Sequence, residues 1–199
     1  MVSSKLKEKF EGWVTGGVSS LVSLGITPNA LTIMGLVASC ISALCYISWR
    51  TDRLFLPLAG ALILLSGLID AIDGVLARST GRVSVFGGFL DSVSDRYSDA
   101  VVLSAIVYAG LCHPAWGLAA IVGSLMVSYT RARAEAAGVK MAAVGFAERA
   151  ERMVFLALTS MAAYYNQQIL FWGVAVLAVV AQFTVLQRAA HFYKESGKL

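Results

Sequence analysis

Apolar runs near the roughly 20 residues that a spanning helix needs recur along this chain, separated by short polar stretches. The pattern predicts six helices. They run from Ala30 to Trp49, Leu54 to about Ala77, about Gly87 to Leu111, Pro114 to about Arg133, roughly Glu148 to Tyr165, and Ile169 to Arg188. Thr27-Pro28-Asn29 precedes the first, a sequence suited to a helix start. Ahead of it, Ser4 to Leu24 is too interrupted to span. Its Phe10, Trp13, Val14 and Leu21, set against Lys5, Lys7, Lys9 and Glu11, predict an amphipathic helix lying at the interface. The expected architecture is an all-α integral membrane protein with six transmembrane helices and an N-terminal interfacial helix. It is read as one domain over 1–199, with 1–25 interfacial and 26–190 a six-helix bundle.

Basic residues mark the sides. Lys5, Lys7, Lys9, Arg78, Arg82, Arg131, Arg133, Arg149, Arg152, Arg188 and Lys194 fall at one end of the expected helices. Arg50 and Arg53 fall at the other. By the positive-inside rule the first end, with both termini, faces the cytoplasm across the cell membrane.

Composition supports this reading. Of 199 residues, 58% are hydrophobic and 14% charged, against about 25% charged in an ordinary soluble domain. Mean hydropathy is +0.73. The net charge of +4 is modest, and its loop placement speaks for topology and anion contacts, with no nucleic-acid partner. Cys40, Cys45 and Cys112 sit in apolar runs without metal-ligand spacing and read as small hydrophobes.

The polar residues inside the apolar pattern carry the chemistry. Asp70-x-x-Asp73-Gly74-x-x-Ala77-Arg78 is followed, after eight residues, by Gly87-x-x-x-Asp91-x-x-x-Asp95. Spacings of three and four put each aspartate pair on one helix face. The Arg78 to Phe86 segment joins the two helices, so all four acids lie at one membrane face. An intramembrane carboxylate is costly and marks function. Four together repel unless cations neutralise them, and hard divalent cations take oxygen ligands. Gly74 and Gly87 allow close approach. Arg78 is placed to pair with a phosphate. The set points to metal-assisted phosphoryl transfer on a lipid-borne diphosphate. A reading from another class is a cation transporter, but its polar groups would be spread through the bilayer instead of clustered at one face.

This run resembles the signature of the CDP-alcohol phosphotransferases, D-x2-D-G-x2-A-R-x8-G-x3-D-x3-D, with every fixed position present. The six expected spans and the interfacial helix resemble that family as well. The resemblance implies a CDP-linked lipid donor, Mg²⁺ or Mn²⁺ as two ions, attack by an alcohol on the lipid-side phosphorus, and release of CMP. It implies Asp70, Asp73, Asp91 and Asp95 as metal ligands, with Asp95 also the general base. Gly74, Ala77, Arg78 and Gly87 would line the CDP-lipid pocket. A homodimer is the implied assembly, and small residues such as Gly60, Gly67, Gly117 and Gly123 permit close helix packing.

The acceptor is read from two further runs, Ser128 to Glu135 and Glu148 to Arg152. Arginine forks match phosphate oxygens, so a phosphorylated acceptor suits such a cluster. Both runs resemble those of the phosphatidylinositol-phosphate synthases and their archaeal ether-lipid counterparts. That resemblance implies inositol 1-phosphate as acceptor, with Arg131, Arg133 and Arg152, then Arg149 and Arg188, at its phosphate. Glycerol 3-phosphate is the rival acceptor within the family. Asp99, one turn past Asp95 and outside the signature, is read either as a residue supporting the metal ligands from behind or as a structural partner of Arg96 or another base.

Overall fold

The computed structural model describes residues 22–141 and 144–197. Six helices follow one another among them, with no strand. They are α1 (Pro28–Ser48), α2 (Phe55–Ser79), α3 (Val85–Tyr108), α4 (Pro114–Ala136), α5 (Arg149–Ala162) and α6 (Gln168–Ser196). The expected interfacial helix falls almost entirely outside the described residues.

Local signals set the boundaries. Thr27 caps α1: its Oγ1 accepts from the Ala30 N–H at 3.2 Å, and Pro28 takes the first helical position. Ser84 caps α3 by accepting from the Gly87 N–H at 3.0 Å, which starts that helix two residues before Gly87. Gly81 (φ +66) turns the chain between α2 and α3. Glu148 and Glu151 form a reciprocal capping box at the head of α5. The last helix departs from expectation. It continues beyond Arg188 to Ser196, because Phe192 packs on the cluster of Ala134, Val139 and Met141 under the preceding loop.

Three of the described helices are long and apolar enough to cross a membrane: α1, α2 and α6. The others fall short of that measure for visible reasons. The part of α3 up to Asp99 holds Asp91, Asp95, Arg96 and Asp99. Glycine, serine, threonine and charged residues dilute α4. α5 has 14 residues, about 21 Å of rise against an apolar slab of about 30 Å.

α1 packs against both α2 and α3. α2 also meets α5, α3 meets α4, and α6 lies against α4 and α5. The two aspartate helices are therefore held in place chiefly through α1. Polar stitches fix α1 on α2: the Ser39 hydroxyl donates to Ser66 Oγ at 2.9 Å, Ser66 donates to the Gly35 carbonyl at 2.9 Å, and Ser42 donates to the Ala59 carbonyl at 2.9 Å. Tyr46 and Ser160 share a hydrogen bond that ties α1 to α5. Such bonds suit helices in lipid, where apolar burial alone discriminates poorly. The main core runs from Ala43 and Tyr46 through Leu56, Ile63 and Ile106 to Leu156, Leu170 and Val174. It fills the end of the bundle remote from the aspartates and leaves the other end open for polar groups.

Candidate active site

Asp70 and Asp73 stand near the end of α2, and Asp91 and Asp95 near the start of α3. One carboxylate oxygen from each of Asp70, Asp91 and Asp95 lies within 4.8 Å of the others. At an effective dielectric of about 20, two unit charges at such a distance repel by roughly 4 kcal/mol. Arg149, from the first turn of α5, offsets this in part. Its Nη1 is 2.8 Å from Asp95 Oδ1 and 3.2 Å from Asp70 Oδ2. Asp73 is turned toward α1, where its Oδ2 accepts from the Thr32 hydroxyl at 2.6 Å. The same Thr32 Oγ1 lies 3.2 Å from the Pro28 carbonyl.

The donor set is all carboxylate oxygen, drawn from two helices and crowded enough to need positive charge. That chemistry fits hard divalent cations, which take carboxylates together with phosphate oxygens. Asp70, Asp91 and Asp95 meet the requirement directly, and Asp73 stands beside them on α2.

The cluster separates two cavities. One, of about 290 Å³, is lined by Asn29, Thr32, Asp73, Gly74, Ala77, Arg78, Arg82, Ser84, Gly87 and Asp91. It gathers Gly74, Ala77, Arg78 and Gly87 around two of the aspartates. A Cβ at Gly87 would lie 3.0 Å from Ser84 Oγ and 3.2 Å from Asn29 Oδ1, so the missing side chain keeps this wall open. The other cavity, of about 450 Å³, is lined by Asp70, Asp95, Arg96, Ser128, Arg131, Glu148, Arg149, Arg152 and Arg188. Four of the five arginines singled out from the sequence thus face one space beside the remaining two aspartates.

Those arginines are held differently. Arg188 is 3% exposed. Its Nε donates to the Val144 carbonyl at 2.9 Å, and its Nη1 donates to the Val127 carbonyl. Gly145 (φ +126) makes room for this stretch of α6, since a Cβ there would lie 2.6 Å from Thr184 Cγ2. Arg152 is 5% exposed and donates from Nη1 to the Ala147 carbonyl at 3.1 Å. Arg131 is exposed and pairs with Glu135 at 2.9 Å. Arg133 does not line the cavity. It is exposed, and two residues along a helix turn it roughly 200° from Arg131.

Comparison with known proteins agrees with this geometry. The family model for CDP-alcohol phosphatidyltransferases matches residues 25–184. The chain belongs to the CDP-alcohol phosphatidyltransferase family. It is therefore a transferase of that family, carried on membrane-type helices. It is 40% identical over 185 residues to the archaetidylinositol phosphate synthase of Pyrococcus horikoshii, covering 93% of each chain. Among solved structures, the phosphatidylinositol phosphate synthase of Mycobacterium tuberculosis in complex with manganese and citrate superposes with a TM-score of 0.80 at 29% identity, over 90% of this chain and 88% of that one. The same enzyme with CDP-DAG bound superposes with a TM-score of 0.79, over 90% and 93%.

Several residues that line the candidate site carried no sequence signal. Thr32 contacts Asp73 across 41 positions of chain, and no spacing rule links them. Ser84 and Arg82 join the first cavity, and Arg96 the second, as neighbours that no spacing rule selects.

Proposed function

We propose that this chain transfers a phosphatidyl-type group, diacyl- or dialkyl-glycerol phosphate, from a CDP-linked lipid to a hydroxyl of inositol 1-phosphate, releasing CMP. One observation carries the reading. Two cavities meet at a single aspartate cluster, one lined by the signature's glycines and Arg78, the other by four arginines. A two-substrate transfer needs this arrangement, with each substrate reaching the reacting phosphorus from its own side. The named relatives, which are inositol-phosphate phospholipid synthases, support the choice of acceptor.

In this reading the donor diphosphate lies against Gly74, Ala77, Gly87 and Arg78, and the acceptor phosphate meets Arg131, Arg152 and Arg188 with Arg149 beside them. Asp70, Asp73, Asp91 and Asp95 would hold two Mg²⁺ or Mn²⁺ ions, which supply charge neutralisation of the diphosphate. The acceptor oxygen forms the new bond to the lipid-side phosphorus, the bond from that phosphorus to the CMP oxygen breaks, and the hydroxyl proton passes to Asp95. The catalytic unit is one domain, 26–190, of six spanning helices with an interfacial segment before it. It works as a homodimer in the cell membrane, with the aspartate face and both chain ends cytoplasmic. Gly60, Gly117 and Gly123 are taken up by contacts within the chain, so the dimer contact falls elsewhere.

The test is CMP release by purified protein with a CDP-lipid and Mg²⁺, comparing inositol 1-phosphate, glycerol 3-phosphate, free inositol and serine. Turnover with inositol 1-phosphate alone supports the full reading. Turnover with glycerol 3-phosphate instead keeps the aspartate chemistry and overturns the acceptor. No CMP release with any of the four acceptors would overturn the proposed reaction.

A further inference from the structure

Asp99 lies one helical turn beyond Asp95 on the same face of α3 but does not line the arginine-walled cavity. It borders a separate inner space of about 30 Å³ with Ser39, Ser98 and Ser124. Its two oxygens are divided between two guanidinium groups of α5. Oδ1 is 3.4 Å from Arg149 Nε, and Oδ2 is 3.6 Å from Arg152 Nη2. Both of those nitrogens are buried and lack a hydrogen-bond partner. A buried charge needs a counter-charge, and among the described residues Asp99 is the carboxylate within ion-pair distance of Arg152. Arg149 also touches Asp70 and Asp95, two of the acids suited to divalent cations. Were those two carboxylates to hold cations, Asp99 would be the carboxylate left to pair with Arg149.

We propose that Asp99 is a positioning residue that holds Arg149 and Arg152 at the wall of the acceptor cavity and so sets affinity for the acceptor's phosphate. It touches neither substrate in this arrangement. It fixes α5's arginine tips to the register of α3, the helix that also presents Asp91 and Asp95. The pairing is by charge at 3.4–3.6 Å and not by aligned hydrogen bonds, which holds each guanidinium without saturating its donors. The proposal rests on the acceptor-phosphate reading of this cavity.

The experiment compares wild type, Asp99→Asn and Asp99→Glu in detergent, with the acceptor titrated at saturating CDP-lipid and Mg²⁺ and the donor titrated separately. Asp99→Asn keeps the shape and removes the charge. It should raise the acceptor KM about tenfold or more, with kcat and the donor KM within about threefold. The inhibition constant of inorganic phosphate against acceptor should weaken in parallel. Asp99→Glu, which keeps the charge, should recover most of the lost affinity. In an Arg152→Gln background the Asn change should raise the acceptor KM by less than it does in wild type, because the contact with Arg152 is already lost and only that with Arg149 remains. A fall in kcat or a rise in donor KM with the acceptor KM unchanged would overturn the proposal. So would an Asn variant that melts earlier and loses all constants together while Glu fails to restore the acceptor KM. If wild type uses glycerol 3-phosphate, the acceptor assignment fails, and the same comparison made with that substrate still decides the role of Asp99.

Discussion

At the scale of single residues, Asp95 is the group on which chemistry and binding separate. It faces the arginine-walled cavity and touches Arg149. Asp95→Asn keeps its size and removes the proton acceptor. CMP release should fall at least about 100-fold, within the range for loss of a general base, while the CDP-lipid still binds. Turnover assays beside a CDP-lipid binding measurement check this, and near-wild-type turnover would remove Asp95 from the base role. Thr32 gives a second case. Its hydroxyl meets Asp73 Oδ2 inside the protein, so Thr32→Val leaves a buried carboxylate oxygen without its donor at a cost of about 1–3 kcal/mol. The expected result is roughly a tenfold or greater loss in kcat/KM for the donor, with Thr32→Ser close to wild type. The arginines should divide as their burial does. Arg152→Gln should raise the acceptor KM at least about tenfold, since a hydrogen-bonded charge contact is worth about 1.5–3 kcal/mol. Arg133→Gln, on the exposed face of α4, should leave both Michaelis constants within about twofold, as surface changes usually do.

At the scale of helices, what could be read from the sequence followed what local pattern encodes. The apolar runs placed all six helices, and the caps at Thr27 and Ser84 account for boundaries off by about a turn or less. The end of α6 was missed because Arg188 looks like a surface stop. In the structure it is a buried anchor on the carbonyls of Val127 and Val144, and the helix runs on under Phe192. The aspartate rhythm brought Asp70, Asp91 and Asp95 together because each pair obeys helical spacing. Spacing could not show that Asp73 turns to Thr32, or that Arg149 meets three carboxylates, since those contacts depend on how α1 and α5 pack around α2 and α3. One glycine tests that packing. A Cβ at Gly60 would lie 2.6 Å from the Ala157 carbonyl, where α2 crosses α5. Gly60→Ala should therefore destabilise the protein by about 1–3 kcal/mol, the usual cost of overpacking, seen as a lower melting temperature in detergent. The α5 arginines shift with that crossing, so the acceptor KM should rise as well. An unchanged melting temperature would mean the two helices slide apart without strain.

At the scale of the whole molecule, charge placement and chemistry make a single claim about orientation. The aspartates, both cavities and the arginines of α4, α5 and α6 lie at one end of the bundle, while Arg50 and Arg53 occupy the turn between α1 and α2 at the other. Basic residues are retained on the cytoplasmic side, and a water-soluble phosphorylated acceptor must reach the arginines from the side where they open. The proposed orientation therefore puts the aspartate end in the cytoplasm, on the strength of the basic residues gathered there. With Cys40, Cys45 and Cys112 replaced by serine or alanine, single cysteines at Thr51 and at Thr80 report the two ends. A membrane-impermeant maleimide applied to intact cells should label Thr51→Cys and spare Thr80→Cys until the membrane is opened. The reverse pattern would place the acceptor cavity outside the cell. That would leave the aspartate chemistry intact but require an external supply of phosphorylated alcohol, and the positive-inside reading of this chain would be wrong. Labelling of both positions in intact cells would show that the two turns share a side, so that α2 does not cross.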